Sequence, residues 1–162
     1  MRRLFLVRHA KSSWSDPATP DEKRPLDARG KRDAPRMGKR LAKRDVKPDL
    51  MVSSPAKRAL ATARAMARKL GYKRKDIRVD KRLYATSPDD LLRVIRKLGD
   101  RKKSVMLFGH NPELAELVHR LSGKTARMPT CAVAELHLDA KSWASAGKRK
   151  PERVVLHTPK GK

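Results

Sequence analysis

Two regimes of hydrophobic and polar positions alternate along this chain. Short apolar or β-branched runs predict strands at 3–9, 50–54, 77–83, 105–110, 132–138 and 153–158. Longer stretches between them carry apolar residues at helical spacing. Ala59, Ala63, Met66 and Leu70 mark a helix over 55–70, Leu91, Leu92, Ile95 and Leu98 one over 88–98, and Leu114, Ala115, Val118 and Leu121 one over 112–121. The segment 27–44 has the same period through Ala34, Met37 and Leu41, and Pro35 inside it implies either a kink or a late start. This alternation predicts an α/β fold, a three-layer sandwich with a mostly parallel central sheet flanked by helices. The length suits one domain spanning 1–162.

Three helices are expected to open alike, at Ser54-Pro55, Ser87-Pro88 and Asn111-Pro112, with a polar cap and proline at the first helical position. Two of them follow directly on apolar strands. Their N-termini, with unpaired N–H groups, then lie at the carboxyl edge of the sheet, where anions bind.

Composition changes this picture mainly through charge. Lys and Arg number 42 against 17 acids, a formal net charge of +25. Such a field concentrates phosphates and other polyanions. The bases are spread along the chain, as at Lys39-Arg40, Lys73-Arg74-Lys75 and Arg101-Lys102-Lys103, and are not gathered in one arm. With 4% aromatic residues there is little to stack bases on, so the surface reads as solvated and nucleic acid as a partner by non-specific charge alone. No apolar run is long enough to span a membrane, and the four apolar residues Leu4–Val7 are too few for a secretory signal core. A lone cysteine, Cys131, can form neither an intramolecular disulfide nor a thiol metal cluster. A cytoplasmic protein without a membrane partner is expected, and a monomer.

Two predicted strands end in histidine, at Arg8-His9 and Gly109-His110, and a third ends at Ser53-Ser54 with Arg58 about one turn into the following helix. If these strands are parallel neighbours, His9, His110, Arg8 and Arg58 converge on a pocket with no carboxylate among them. Guanidiniums suit the oxygens of a tetrahedral dianion, and a neutral imidazole can attack phosphorus. No Ser-His-Asp arrangement, glycine-rich phosphate loop or carboxylate cluster for magnesium occurs, so the residues point to phosphoryl transfer through histidine with no metal and no cofactor.

Four ordered motifs carry a family resemblance. Leu6-Val7-Arg8-His9-Ala10 with Lys11–Ser15, Arg24-Pro25-Leu26 leading to Gly30, Ser53-Ser54-Pro55 with Arg58 and Thr62, and Gly109-His110-Asn111-Pro112 together resemble the histidine phosphatases of the phosphoglycerate-mutase-like superfamily. Within that superfamily the chain is similar to the short SixA-type phosphohistidine phosphatases. The resemblance implies that His9 is transiently phosphorylated while Arg8, Arg58 and His110 bind the phosphoryl oxygens. Ala10 replaces the superfamily's glycine, placing a methyl near the pocket. Ser15 stands at the substrate-binding position where mutases commonly use asparagine, which puts that contact in doubt. Mutases and sugar-phosphate phosphatases carry a glutamate after the third strand as proton donor, and 82–90 contains none. An alkoxide leaves poorly without a proton, whereas imidazole, of pKa about 6.5, needs less help. The expected substrate is therefore phosphohistidine on a protein. The alternatives are a phosphomonoesterase acting on a small phosphorylated metabolite, or a basic polyanion-binding protein with a vestigial site. Asp89 and Asp90 are read as completing the helix cap after Ser87, and His119, His137, His157, Cys131 and Trp143 as structural or surface residues. Trp14 belongs to a loop, 11–29, expected to cover the site and select substrate.

Overall fold

The computed structural model describes residues 1–160. Strands β1 (Arg2–Arg8), β2 (Leu50–Ser53), β3 (Arg78–Val79), β4 (Ser104–Gly109), β5 (Val133–Leu138) and β6 (Arg153–His157) form one sheet in the order β3-β2-β4-β1-β5-β6. β3, β2, β4 and β1 run parallel, and β5 and β6 continue the sheet antiparallel. Helices α1 (Ala28–Lys43) and α2 (Lys57–Leu70) pack together on one face, and α3 (Pro88–Arg96) and α4 (Glu113–Ser122) on the other. This is the expected three-layer α/β sandwich. Right-handed crossovers dictate the faces of α1, α2 and α3, since the chain moves one way across the sheet for α1 and α2 and the other way for α3, while α4 joins β4 to the antiparallel β5 on the α3 face.

The two cores follow from strand alternation. Phe5 and Val7 of β1 bury against Met37 and Leu41 of α1 and Met66 of α2, while Leu4 and Leu6 bury against Ile95 of α3 and Val118 of α4. β1 and β4 are covered on both faces, which is why both read as unbroken apolar runs.

Three local expectations are corrected. The strand foreseen over 77–83 shrinks to Arg78–Val79 at the sheet edge, because Asp80 caps a 3₁₀ turn at Lys81–Leu83 by accepting a hydrogen bond from the Arg82 amide (2.9 Å). Only Ser87-Pro88 is a polar cap followed by proline, with the Ser87 side chain accepting from the Asp90 amide. At Ser54-Pro55 the helix starts two residues late, with Ala56 as cap, and at Asn111-Pro112 the cap is Pro112 itself after a cis peptide bond. Pro35 causes no late start: α1 begins at Ala28, capped by Asp27, and runs on through the proline, which forgoes the hydrogen bond its nitrogen would donate to the Lys31 carbonyl.

The start of α1 is pressed onto the loop that follows β1. The Asp27 amide donates to the Lys11 carbonyl (3.0 Å), and a Cβ on Gly30 would sit 2.1 Å from that oxygen. Backbone cannot yield as a flexible side chain does. Gly30→Ala is expected to destabilise the fold by about 2 kcal/mol or more, read as a lower urea midpoint, with kcat falling because Lys11 lies at the site. An unchanged midpoint would show that the helix start and loop can separate.

Candidate active site

Register places the site residues together. Arg8 pairs with Gly109, and the His9 amide donates to the Gly109 carbonyl (3.1 Å). On the other side of β4 the Ser54 amide donates to the Phe108 carbonyl (2.9 Å). His9, His110 and Ser54 thus leave three adjacent strands at one edge of the sheet, and the first turn of α2 brings Arg58 between the imidazoles. Arg8, His9, Arg58 and His110 all line one open cavity of about 360 Å³, with the imidazole centroids 5.2 Å apart. The four residues converge as foreseen. Ser15 does not line the cavity; it is exposed, its hydroxyl 2.8 Å from that of Ser13.

Each imidazole has a defined tautomer. His9 Nδ1 lies 2.7 Å from the Ala10 carbonyl oxygen, which can only accept, so Nδ1 carries the proton and Nε2 presents a lone pair to the cavity. Arg58 Nε approaches that lone pair at 3.4 Å. His110 Nδ1 accepts from Arg58 Nη2 at 3.5 Å, so its Nε2 donates to the Ser54 hydroxyl at 2.8 Å. Thr62 braces this arrangement from α2 by accepting from the Ala10 amide (2.9 Å) and donating to the Arg58 carbonyl (2.8 Å). The Ala10 methyl is buried in the core under α1 and α2, off the cavity wall.

Burial and the neighbouring guanidiniums disfavour imidazolium. Burial, with Arg58, Arg8 and Arg24 adding to it against the opposing Ala10 hydrogen bond, lowers the His9 pKa to about 4. Burial also lowers His110 to about 3, helped by His9 and Arg58. Both rings are therefore neutral at pH 7. In the unfolded chain they titrate near 6.5, so between pH 6.5 and about 4 the unfolded state binds more protons. The stability they contribute is complete above pH 6.5 and is lost as pH falls. On that basis unfolding free energy should drop by roughly 2 kcal/mol per histidine between pH 7 and 4.5. Urea denaturation at the two values measures it, and equal stabilities would contradict this reading of the site.

The cavity also holds groups the sequence did not assign to it. The expectation of a pocket without carboxylates is corrected: Asp21 and Glu113 both line it. Asp21 Oδ2 accepts from the Tyr84 hydroxyl (2.7 Å) and from Arg58 Nη2 (3.0 Å), its Oδ1 accepts from Arg24 Nε (3.1 Å), and its carbonyl accepts from Arg58 Nη1 (2.6 Å). The Tyr84 hydrogen bond, and then Arg58 and Arg24, hold the Asp21 carboxyl well below the usual range, against the effect of burial. Burial raises the Glu113 pKa. Arg24 is itself buried, bonded to Ser12, with its guanidinium 3.5 Å from the centroid of the exposed Trp14 ring. The 11–29 loop thus does reach the cavity, through Lys11, Trp14, Asp21 and Arg24. Arg24 carries one sequence signal, its place before Pro25-Leu26; nothing local distinguishes Asp21 from Asp16. Asp89 and Asp90 do not line this cavity, and pair with Arg120 and Arg93. His137 and His157 both bond Glu135 across β5 and β6, and His119 is exposed. Among the described residues no group of His, Cys, Asp or Glu could hold a metal ion, and no helix is long and apolar enough to cross a membrane.

The fold and its residues match known proteins. Residues 4–87 match the Histidine phosphatase superfamily (branch 1). An uncharacterized chloroplastic protein of Arabidopsis thaliana is 32% identical over 153 residues, covering 90% of this chain and 70% of its own. The crystal structure of a putative phosphohistidine phosphatase SixA from Agrobacterium tumefaciens is 30% identical, with a TM-score of 0.77 over 83% of this chain and 90% of its own. A putative phosphohistidine phosphatase SixA from Nakamurella multipartitia superposes with a TM-score of 0.86 over 99% of this chain and 97% of its own, at 22% identity, and so attests the fold. By sequence match, fold and the convergence of its two histidines, the chain belongs to the histidine phosphatase superfamily (branch 1).

Proposed function

We propose that this protein is a phosphohistidine phosphatase that dephosphorylates histidine on a protein, with His9 as nucleophile. One observation carries the reading: His9 is a buried, neutral imidazole whose proton is fixed on Nδ1 by the Ala10 carbonyl, so Nε2 faces the cavity unprotonated beside Arg58. His9 Nε2 forms the bond to phosphorus while the bond to the substrate imidazole nitrogen breaks and its electron pair leaves with that imidazole, whose other ring nitrogen carries a proton so that it departs neutral. Water then attacks phosphorus, releasing phosphate and restoring His9. Arg8, Arg58 and His110 hold the equatorial oxygens, catalysis being mostly positioning and fixed charge. The arriving dianion favours imidazolium at His110, so binding takes up a proton there, a coupling of charge to titration. No step calls on a metal or cofactor.

The choice of leaving group rests on the carboxyls. Asp21 is held ionised by Tyr84 and Arg58 and has no proton to give. An imidazole leaving group tolerates that; an alkoxide does not. A second reading, a phosphomonoesterase for a small metabolite, is favoured by Glu113, a cavity carboxyl whose pKa is raised by burial. The SixA name of the Agrobacterium protein supports the first reading. The test offers a phosphohistidine protein, an aryl phosphate and several sugar phosphates to the wild type and to Glu113→Gln. The expected result is highest kcat/KM on the phosphohistidine protein, unchanged by Glu113→Gln. Sugar phosphates preferred by orders of magnitude, with that preference lost in Glu113→Gln, would establish the second reading instead.

A further inference from the structure

The positive charge, evenly spread along the chain, is divided unequally between the helices of the two layers. α1 carries seven Lys and Arg against Asp33 alone, and α2 carries five with no acid. On the opposite layer α3 and α4 together carry Arg93, Arg96 and Arg120 against Asp89, Asp90, Glu113 and Glu116. There Arg93 and Arg120 are neutralised by Asp90 and Asp89. On the α1–α2 layer, among the described residues, the ion pairs are Arg29–Asp33 and Arg58–Asp21, and the second lies in the catalytic cavity. The remaining cations have helical order. Arg32, Arg36, Lys39 and Lys43 are exposed at i, i+4, i+7 and i+11 on α1, a row about 16 Å long at 1.5 Å per residue. Lys57, Arg64 and Arg68 form an exposed row of the same length on α2. Lys31, Arg64, Arg68, Lys69 and Arg74 line a groove together with small residues such as Ala34 and Ala61.

We infer that this two-helix face binds the phosphate backbone of double-stranded nucleic acid, without regard to sequence and independently of the catalytic cavity. Like charges gathered at this density repel one another, and a polyanion removes the repulsion while releasing its own counterions. A protein partner fits the face less well. Stable protein interfaces are anchored by buried aromatic or large apolar side chains and are depleted in lysine at their centre. The exposed large hydrophobics among the described residues are Met1, Trp14, Val79 and Leu156, none of them on α1 or α2. Single strands fit poorly for the same reason, since they are held by stacking on aromatic rings. A duplex backbone needs only cations at intervals along a flat surface.

The experiment titrates the full chain into two fluorescently labelled 20-base-pair duplexes of unrelated sequence between about 50 and 200 mM salt. Glutamate is placed at three positions of the face (Arg36→Glu, Arg64→Glu, Arg68→Glu) or, as a control of equal charge change, beyond the ends of α3 and α4 (Lys97→Glu, Arg101→Glu, Lys124→Glu). The wild type should bind both duplexes alike with a log–log salt slope of about −5, as for six phosphate contacts. The α1–α2 variant should lose at least about tenfold in affinity and about 3 units of slope, and the control less than about threefold. Aryl phosphate turnover and melting temperature should stay unchanged in both. If the reversals lower the melting temperature, the glutamine versions of the same positions take their place, with a slope loss again expected only on α1–α2. Equal weakening in the control, or failure of the wild type to bind at 50 mM salt, would overturn the proposal. Tighter binding of a polyglutamate peptide or of phosphatidylserine vesicles than of duplex would overturn it in favour of a protein or a membrane.

Discussion

His9→Ala is expected to abolish turnover, by about 10⁴-fold or more in kcat, while the protein still folds. The size follows from what the side chain supplies. Without the imidazole the other cavity groups are poor substitutes: His110 uses Nε2 to bond Ser54, its Nδ1 faces Arg58, Asp21 is already shared by Tyr84, Arg58 and Arg24, and burial disfavours the ionised form of Glu113. The two-step route therefore closes entirely, and what survives is the attraction of the guanidiniums for a phosphoryl group. Substrate binding should persist, with KM changed far less than kcat. A chemical trap sharpens the test. Brief exposure of the wild type to ³²P-labelled phosphohistidine protein should label the enzyme in an acid-labile, base-stable linkage, which His9→Ala should lack. His119→Ala, which removes an exposed histidine remote from the cavity, should label as the wild type does. Turnover or labelling that persists in His9→Ala would remove His9 from its role.

The sequence disclosed the parts of this site that belong to strand ends and concealed those that belong to loops. A strand end has few degrees of freedom. Once Leu4–Val7 and Val105–Phe108 are recognised as neighbouring apolar strands, the residues that follow them must emerge side by side, and His9 and His110 do. Arg58 was legible because the first turn of the helix after β2 fixes its height above the sheet. Asp21 and Tyr84 were not, because their approach depends on the path of an irregular loop and on a 3₁₀ turn that interrupts an apparent strand. That path is set by long-range contacts such as Gly30 against Lys11, which leave no periodic trace. The helix starts shifted for a related reason: the Ser54 and Asn111 side chains still accept from the Ala56 and Ala115 amides, but they also bond His110 and the Met128 carbonyl, tertiary contacts that a local cap pattern does not foresee. Charge shows the same limit from the other side. Composition reported +25, yet only the assignment of helices to layers reveals that the helices of one layer hold twelve cations against one acid while those of the other are nearly balanced.

Arg58→Ala is the second large effect, and its interpretation turns on Asp21. The guanidinium is buried and serves four partners: both imidazoles, the Asp21 carboxylate and the Asp21 carbonyl. Loss of a positioned charged donor at a phosphoryl centre costs on the order of 3 kcal/mol of transition-state stabilisation, or about 10²–10³-fold in kcat. A further loss should appear in KM, because Asp21 is then a carboxylate without its Arg58 partner at the mouth of a site for a dianion. Two substitutions separate these contributions. Arg58→Lys restores charge but not the planar fork that reaches both Asp21 and the imidazoles at once, so kcat should stay depressed by at least about tenfold. Arg58→Ala combined with Asp21→Asn removes the repulsion, so KM should return toward the wild-type value while kcat remains low. The coupling between the two positions, read from the four kcat/KM values of the cycle, should then be clearly non-additive. Additive losses would mean that Asp21 acts on the site independently of Arg58, and a full return of kcat in Arg58→Lys would mean that charge alone, without the fork, is what the phosphoryl group requires.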